Sequence, residues 1–205
     1  MFIQVSETPN PQTMKFIPGV VVMPSGKSAS FSKTDEVSFK NSPLAKALLE
    51  ISEIEGVFFG DTFISITKIE KASWLPLKTL VIAHIMDYLM SGKAIWVDMQ
   101  IDQTPSGDVI NSVKKPHEKQ QSHLSVPQDQ ITAQIIELID TRVRPAVAED
   151  GGDIEFDSFD NGVVYVRLRG ACSGCPSSVY TLKNGIENML KYYVPEVQEV
   201  REVGD

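Results

Sequence analysis

The chain has 205 residues, 42% of them hydrophobic, two cysteines and a formal charge of −8. That is enough for one or two domains with real cores. It contains no apolar run of about 18 residues that would read as a membrane span. The acid is uneven: residues 1–105 sum to −2, 106–126 to +1 and 127–205 to −7. An acidic rear half argues against nucleic-acid binding, which needs a basic face.

In chain order, residues 2–5 predict a short strand, and Glu7-Thr8-Pro9-Asn10-Pro11 a turn. Met14–Ile17 and Val20–Met23 are extended candidates separated by Pro18-Gly19. Ser42-Pro43 opens a helix to about Ile51, with serine as cap, proline in the first turn and Leu44, Leu48 and Ile51 as its stripe. Gly56–Phe59, Gly60-Asp61 and Phe63–Thr67 read as strand, tight turn, strand. A helix from about Leu77 to Met90, with Leu77, Leu80, Val81, Ile85 and Leu89 apolar, stops at Ser91-Gly92. A strand Ala94–Met99 is expected next. His84 has no second ligand at metal spacing and reads as structural. Trp74, Trp96 and Phe58-Phe59 read as core.

From Asp102 to Gln128 the prolines, serines and glutamines carry no apolar period, which predicts a flexible linker in which His117 and His123 are incidental. The expected division is 1–102, a linker 103–127, and 128–205, with the two ends free to move independently. The rear part opens with a helix from about Gln128 to Val147, Ile131, Ile135, Leu138, Ile139 and Val143 following one face. Strands Ile154–Phe159 and Val163–Leu168 flank the hairpin signal Asp160-Asn161-Gly162. In the second of them, Val164, Val166 and Leu168 alternate with Tyr165, Arg167 and Arg169. Val179, Leu182, Ile186, Met189 and Tyr193 mark another helix, and Val197–Val203 a last strand. The fold class is therefore α+β, two small α+β domains joined by a flexible linker, the second ordered α-β-β-α-β.

Both cysteines, Cys172 and Cys175, lie in the exposed loop expected between the hairpin and that helix. Unpaired N–H groups at a helix start favour thiolate over thiol. Gly170 and Gly174 let the backbone turn sharply, and Pro176 suits the first helical turn. Two thiolates and no histidine in residues 128–205 leave a cluster or a zinc ion needing a second copy of the pair. A redox dithiol would work within one chain. Two inert buried cysteines fit poorly with a loop rich in glycine and serine. Asp150-Gly151-Gly152-Asp153 reads as a tight helix-to-strand turn rather than a catalytic carboxylate pair.

Arg144-Pro145, Asp150–Asp153, Gly162–Val164, Leu168–Ser178, Thr181–Glu187 and Pro195–Val197 together resemble the C-terminal domain of NifU, also found in Nfu proteins. Glu7–Pro11, Lys15-Phe16, Pro18-Gly19, Ser42–Ala45, Val57–Gly60 and Ile64–Lys68 are similar to the Nfu N-terminal domain. The resemblance covers nearly everything except the linker. It implies a non-enzymatic iron-sulfur cluster scaffold or carrier. Cys172 and Cys175 of two chains would hold a labile 4Fe-4S cluster, with 2Fe-2S an alternative, and deliver it to apo-proteins. Implied partners are a second copy when loaded, apo iron-sulfur proteins as clients and the upstream assembly machinery, with no nucleic acid and no membrane. The simplest setting is cytoplasmic and bacterial-like, or the mitochondrial matrix if a leader has been removed. A thiol-disulfide oxidoreductase using the same pair is the alternative function.

Overall fold

The structure is a computed structural model that describes residues 2–24, 26–33, 41–96, 128–173 and 176–203. The expected linker 103–127, with His117 and His123, lies outside the described residues. So do residues 97–99 of the strand expected at Ala94–Met99, and residues 94–96 are not strand.

Residues 2–96 build a five-stranded antiparallel sheet in the order β1-β2-β5-β4-β3. Its strands are β1 (Gln4–Glu7), β2 (Thr13–Ile17), β3 (Ala29–Ser32), β4 (Ile54–Phe59) and β5 (Ile64–Lys68). Two helices, α1 (Pro43–Leu49) and α2 (Trp74–Met90), share its core with Phe16, Phe31, Phe59, Ile64 and Ile66. Helix α1 starts where expected, because the Ser42 hydroxyl accepts from Ala45 N–H at 3.2 Å and relieves one of the unpaired donors of the first turn. Helix α2 starts three residues before the expected Leu77, capped by Ser73. Leu77, Val81 and Ile85 are buried, but Leu80 is not, since the buried stripe is narrower than the apolar pattern.

Two expectations fail here. Val20–Met23 is not a strand: Val22 and Met23 donate to Asp61 O at 2.7 and 3.2 Å, which ties this loop to the β4–β5 turn instead of a ladder. Strand β3 was not anticipated, since Ala29-Ser30-Phe31-Ser32 offers only one large apolar residue, Phe31, and pairs with β4 at the sheet edge. Of the aromatics read as core, Phe58 and Phe59 are buried, whereas Trp74 and Trp96 are half-buried against the core. His84 lies in the interior of α2, its Nδ1 2.9 Å from the Leu80 carbonyl one turn back.

Residues 128–203 form a second core behind a three-stranded sheet, β6-β7-β8, with strands β6 (Gly152–Asp160), β7 (Val163–Gly170) and β8 (Glu199–Glu202). The β6–β7 hairpin turns at Asn161 and Gly162, both with positive φ, the geometry that an Asn-Gly pair accepts at low cost. Strand β8 runs parallel to β7, reached through α5 (Pro176–Tyr193). Val164, Val166 and Leu168 face the core as the alternation required. On the other face Arg169 and Arg167 pair across the hairpin with Glu155 and Asp157.

The long first helix of this half is interrupted. Helix α3 (Gln128–Leu138) passes through a wide π turn, Ile139–Val143, into α4 (Arg144–Glu149). Its buried residues Ile131, Ile135, Ile139, Val143 and Val147 recur at a spacing of four. In an ideal α-helix each such step rotates the stripe by about 40°, and the wide turn takes part of that back. Pro145, with no N–H to donate backward, sits just beyond the wide turn. Helix α5 buries Ile186 and Leu190, while Tyr193, expected on its apolar face, is 39% exposed.

Candidate functional site

Strand β7 ends at Gly170, whose φ of +65° swings the chain out of the ladder into the turn Ala171-Cys172-Ser173, and α5 begins at Pro176. The cysteine loop therefore does open a helix. Cys175 and Gly174 lie outside the described residues, so only Cys172 can be placed. The loop is not exposed at Cys172: this residue is 4% exposed and belongs to the rear core, and Ala171 is 2% exposed. A small, weakly polar thiol packs at little cost, and the alternation of β7 already carries the chain inward at this point.

What brings Cys172 there is the Asp150–Asp153 turn. Gly151 has φ +81°, a conformation that side chains strain to adopt, so the turn reading of this motif holds. Gly151 O accepts from Ala171 N–H at 3.2 Å. Gly152 faces Gly170 across the hairpin. A β-carbon added to Gly152 would lie 2.6 Å from Cys172 Sγ and 2.7 Å from Arg169 O, so the absence of a side chain is what seats the sulfur. Asp153, buried, accepts from Arg144 Nε at 3.0 Å and from its neighbour Ile154 N–H at 2.8 Å. Arg144 also donates to Ile154 O and pairs with Asp140, which ties the wide turn of the helix to the start of β6. Asp150–Asp153 is thus a structural base for the turn that carries Cys172.

The front half reaches this same base, a contact that no short-range pattern predicts. Asn10 Nδ2 donates to Ala171 O at 3.3 Å. Ser65 Oγ donates to Gly151 O at 2.6 Å, and Ser28 Oγ to Asp153 Oδ2 at 2.6 Å. Lys15 Nζ donates to Ala148 O at 2.8 Å, a carbonyl at the C-terminal end of α4 that also accepts from Gly151 N–H at 3.0 Å, and its positive charge suits that end of the helix. Burial lowers the Lys15 pKa below its ordinary value, with the Glu149 and Asp150 carboxylates pulling the other way. The ring of Phe58 packs against Gly170, where an added β-carbon would lie 2.8 Å from Cδ1. Expected to move independently, the two halves are in direct contact. Short-range patterns carry no signal for pairings 86 to 161 residues apart.

A cleft of about 640 Å³ opens beside Cys172, lined by Asp150, Ala171, Leu182, Ile186 and Met189 from the rear half and by Pro9 from the front. Among the described residues no group of three or more His, Cys, Asp or Glu is placed to hold a metal ion. None of the helices among them is long and apolar enough to cross a membrane.

The family model described as NifU-like domain matches residues 135–201, and that described as scaffold protein Nfu/NifU N terminal matches residues 3–92. The chain is 43% identical over 205 residues to the NFU1 iron-sulfur cluster scaffold homolog, mitochondrial, of Drosophila sechellia, covering 100% of this chain and 66% of that protein. With the protein of the same name from Homo sapiens the identity is 43% over 206 residues, covering 100% of this chain and 73% of the relative. The chain thus spans just under two thirds of the fly relative's length. The solution structure of a NifU-like protein from Saccharomyces cerevisiae aligns with 48% of this chain and 86% of its own, at 25% identity and a TM-score of 0.43.

Proposed function

Because the chain belongs to the Nfu family of iron-sulfur cluster scaffold proteins, we propose that it carries a labile iron-sulfur cluster on Cys172 and Cys175 and hands it to apo-proteins. The observation that carries this reading is that both cysteines of the chain fall within four residues of sequence, directly before α5. Helix-start N–H groups there offset the charge of thiolates and of an anionic cluster. One chain supplies two sulfurs, so a four-thiolate centre takes two copies of the loop related by a twofold axis. The cluster is cargo rather than a resident cofactor, and the chain is a carrier rather than an enzyme. A site shared between two chains and open to a better-ligated client pocket releases what it holds.

In this reading residues 1–102 and 128–205 are separate domains, 103–127 is the connection between them, and the first serves partner recognition. The clients are apo iron-sulfur proteins, and upstream assembly machinery loads the chain. The relatives carry "mitochondrial" in their names. For this chain we keep an aqueous setting, the matrix or a bacterial cytoplasm.

Anaerobic reconstitution with iron and sulfide, followed by Mössbauer spectroscopy, iron and sulfide counting and light scattering on one sample, tests the proposal. A dimer with about two irons per chain and a cubane spectrum is the expected result, four thiolates closing one 4Fe-4S centre. A metal-free monomer whose two cysteines cycle as a disulfide would replace the carrier by a thiol-disulfide oxidoreductase. Alanine at Cys172 or Cys175 is expected to abolish cluster binding.

A further inference from the structure

The two stretches that carry the family resemblance in the separate halves meet in space. Thr8, Asn10 and Lys15 of the front half lie against Ala148, Gly151 and Ala171 of the rear half, the last of these next to Cys172 in the chain. The contact is built rather than incidental. Asn10 is itself 7% exposed and is held in register by its own turn, its Oδ1 accepting from Gln12 N–H at 3.0 Å and its carbonyl from Thr13 N–H at 2.9 Å. That leaves Nδ2 aimed at Ala171 O. A hydrogen bond on the carbonyl of residue 171 fixes the peptide plane that leads into residue 172, and with it the direction in which the thiol points. That direction is inward, against Gly152. Ser65 adds a second donor on Gly151 O, the same carbonyl that holds Ala171 N–H. Ser28 and Lys15 close the flanks.

A sulfur that is to share a centre with a second chain has to face out of its own chain, and in this arrangement it does not. We propose that the front half is an intramolecular cap on the Ala171-Cys172 turn, closed in the cluster-free chain and displaced when two chains come together around a cluster. The inference rests on the scaffold reading above and adds to it a resting state. The cap keeps Cys172 away from oxidants and stray metal, and opening it frees the Asn10–Lys15 face at the moment the cluster site forms. Exchange between closed and open chains is unimolecular, since the two halves belong to one polypeptide.

The test uses the full-length apo-chain with Cys175→Ser, so that Cys172 is the one remaining thiol, and reads its alkylation rate by iodoacetamide. In that background Asn10→Asp keeps the acceptor for Gln12 N–H but sets a carboxylate oxygen against Ala171 O, replacing a hydrogen bond by repulsion between two oxygens. Alkylation is expected to accelerate about tenfold, the share of open chains rising by that factor. In the cysteine-intact chain, cluster loading is expected to speed amide hydrogen exchange across residues 8–15 and 148–151. An Asn10→Asp chain with native far-UV circular dichroism and the parent's alkylation rate overturns the cap, as does a loaded chain with unchanged exchange at both segments. Should Asn10→Asp not fold, Ser28→Ala removes only the flank contact with Asp153, and a rate no faster than the parent's overturns the cap equally. The alkylation comparison involves no iron, so a chain that takes up no cluster refutes the scaffold reading while leaving the cap to be decided by its own readout.

Discussion

Gly152→Ala should cost the rear half much of its stability and push Cys172 out of its seat. The added methyl would stand 2.6 Å from Cys172 Sγ, 2.7 Å from Arg169 O and 3.2 Å from Cys172 Cβ. Carbon–sulfur contact needs roughly 3.5 Å or more, so something has to move by about 1 Å. Arg169 O cannot retreat cheaply, because Asp153 and Arg169 are register partners in the ladder that holds β6 to β7. The φ of Gly152 is not positive, so the penalty is one of overlap alone, of the order of 2–3 kcal/mol for overpacking at a rigid position. For a folded unit of this size each kcal/mol moves the midpoint by about 4–8 °C, so the transition of the rear half should fall by about 10 °C or more. Scanning calorimetry of the apo-chain reads the transition, and iodoacetamide on the Cys175→Ser background reads the displaced thiol, which should react faster. A transition within about 2 °C of the parent together with an unchanged alkylation rate would refute the argument that glycine is required here to seat the sulfur.

Three further outcomes are expected. Glu187, on α5, accepts from Val200 N–H of β8 at 3.0 Å and pairs with Lys191; the Lys191 hydrogen bond, then that from Val200, holds its pKa below the ordinary 4.5. A lowered carboxylate pKa stabilises the fold above about pH 4.5 and loses that contribution as pH falls through the folded value, so Glu187→Gln should lower stability at pH 7 by about 1 kcal/mol and flatten the acid side of the denaturation profile. Ser42→Ala removes both the cap of α1 and the hydroxyl that donates to Ile95 O at 2.8 Å, and urea unfolding should show a loss of about 1–2 kcal/mol. Gly162→Ala faces a φ of +82° and a β-carbon 2.9 Å from the Gln198 side chain, so it should destabilise the hairpin by about 1–3 kcal/mol, seen as faster hydrogen exchange across β6 and β7.

Elements whose signal is local were legible in the residues themselves. Asn161-Gly162 specified its turn, Val164-Val166-Leu168 named the buried face of β7, Ser42-Pro43 started α1, and the order of the rear half followed from alternating periods. Elements stabilised from a distance were not. Val20–Met23 has the composition of a strand, but the N–H groups of Val22 and Met23 are taken by Asp61 O; Ala29–Ser32 lacks that composition and is a strand because β4 offers it an edge. The π turn was hidden because a period of four and one of 3.6 look alike over any single turn.

At the candidate site the division is the same. Residue chemistry alone set the two thiols three positions apart, the glycines that bend the chain around them, and the helix that begins just beyond. The seating of Cys172 depended on where Gly152, Arg169 and Ala171 came to lie after β6 and β7 had paired. The contact of Ala171 with the front half depended on Asn10 meeting a carbonyl 161 residues away. Periodicity and turn chemistry are properties of neighbours along the chain. Which polar groups are left to satisfy one another across an interface is settled only once the two cores have formed and their surfaces have been brought together.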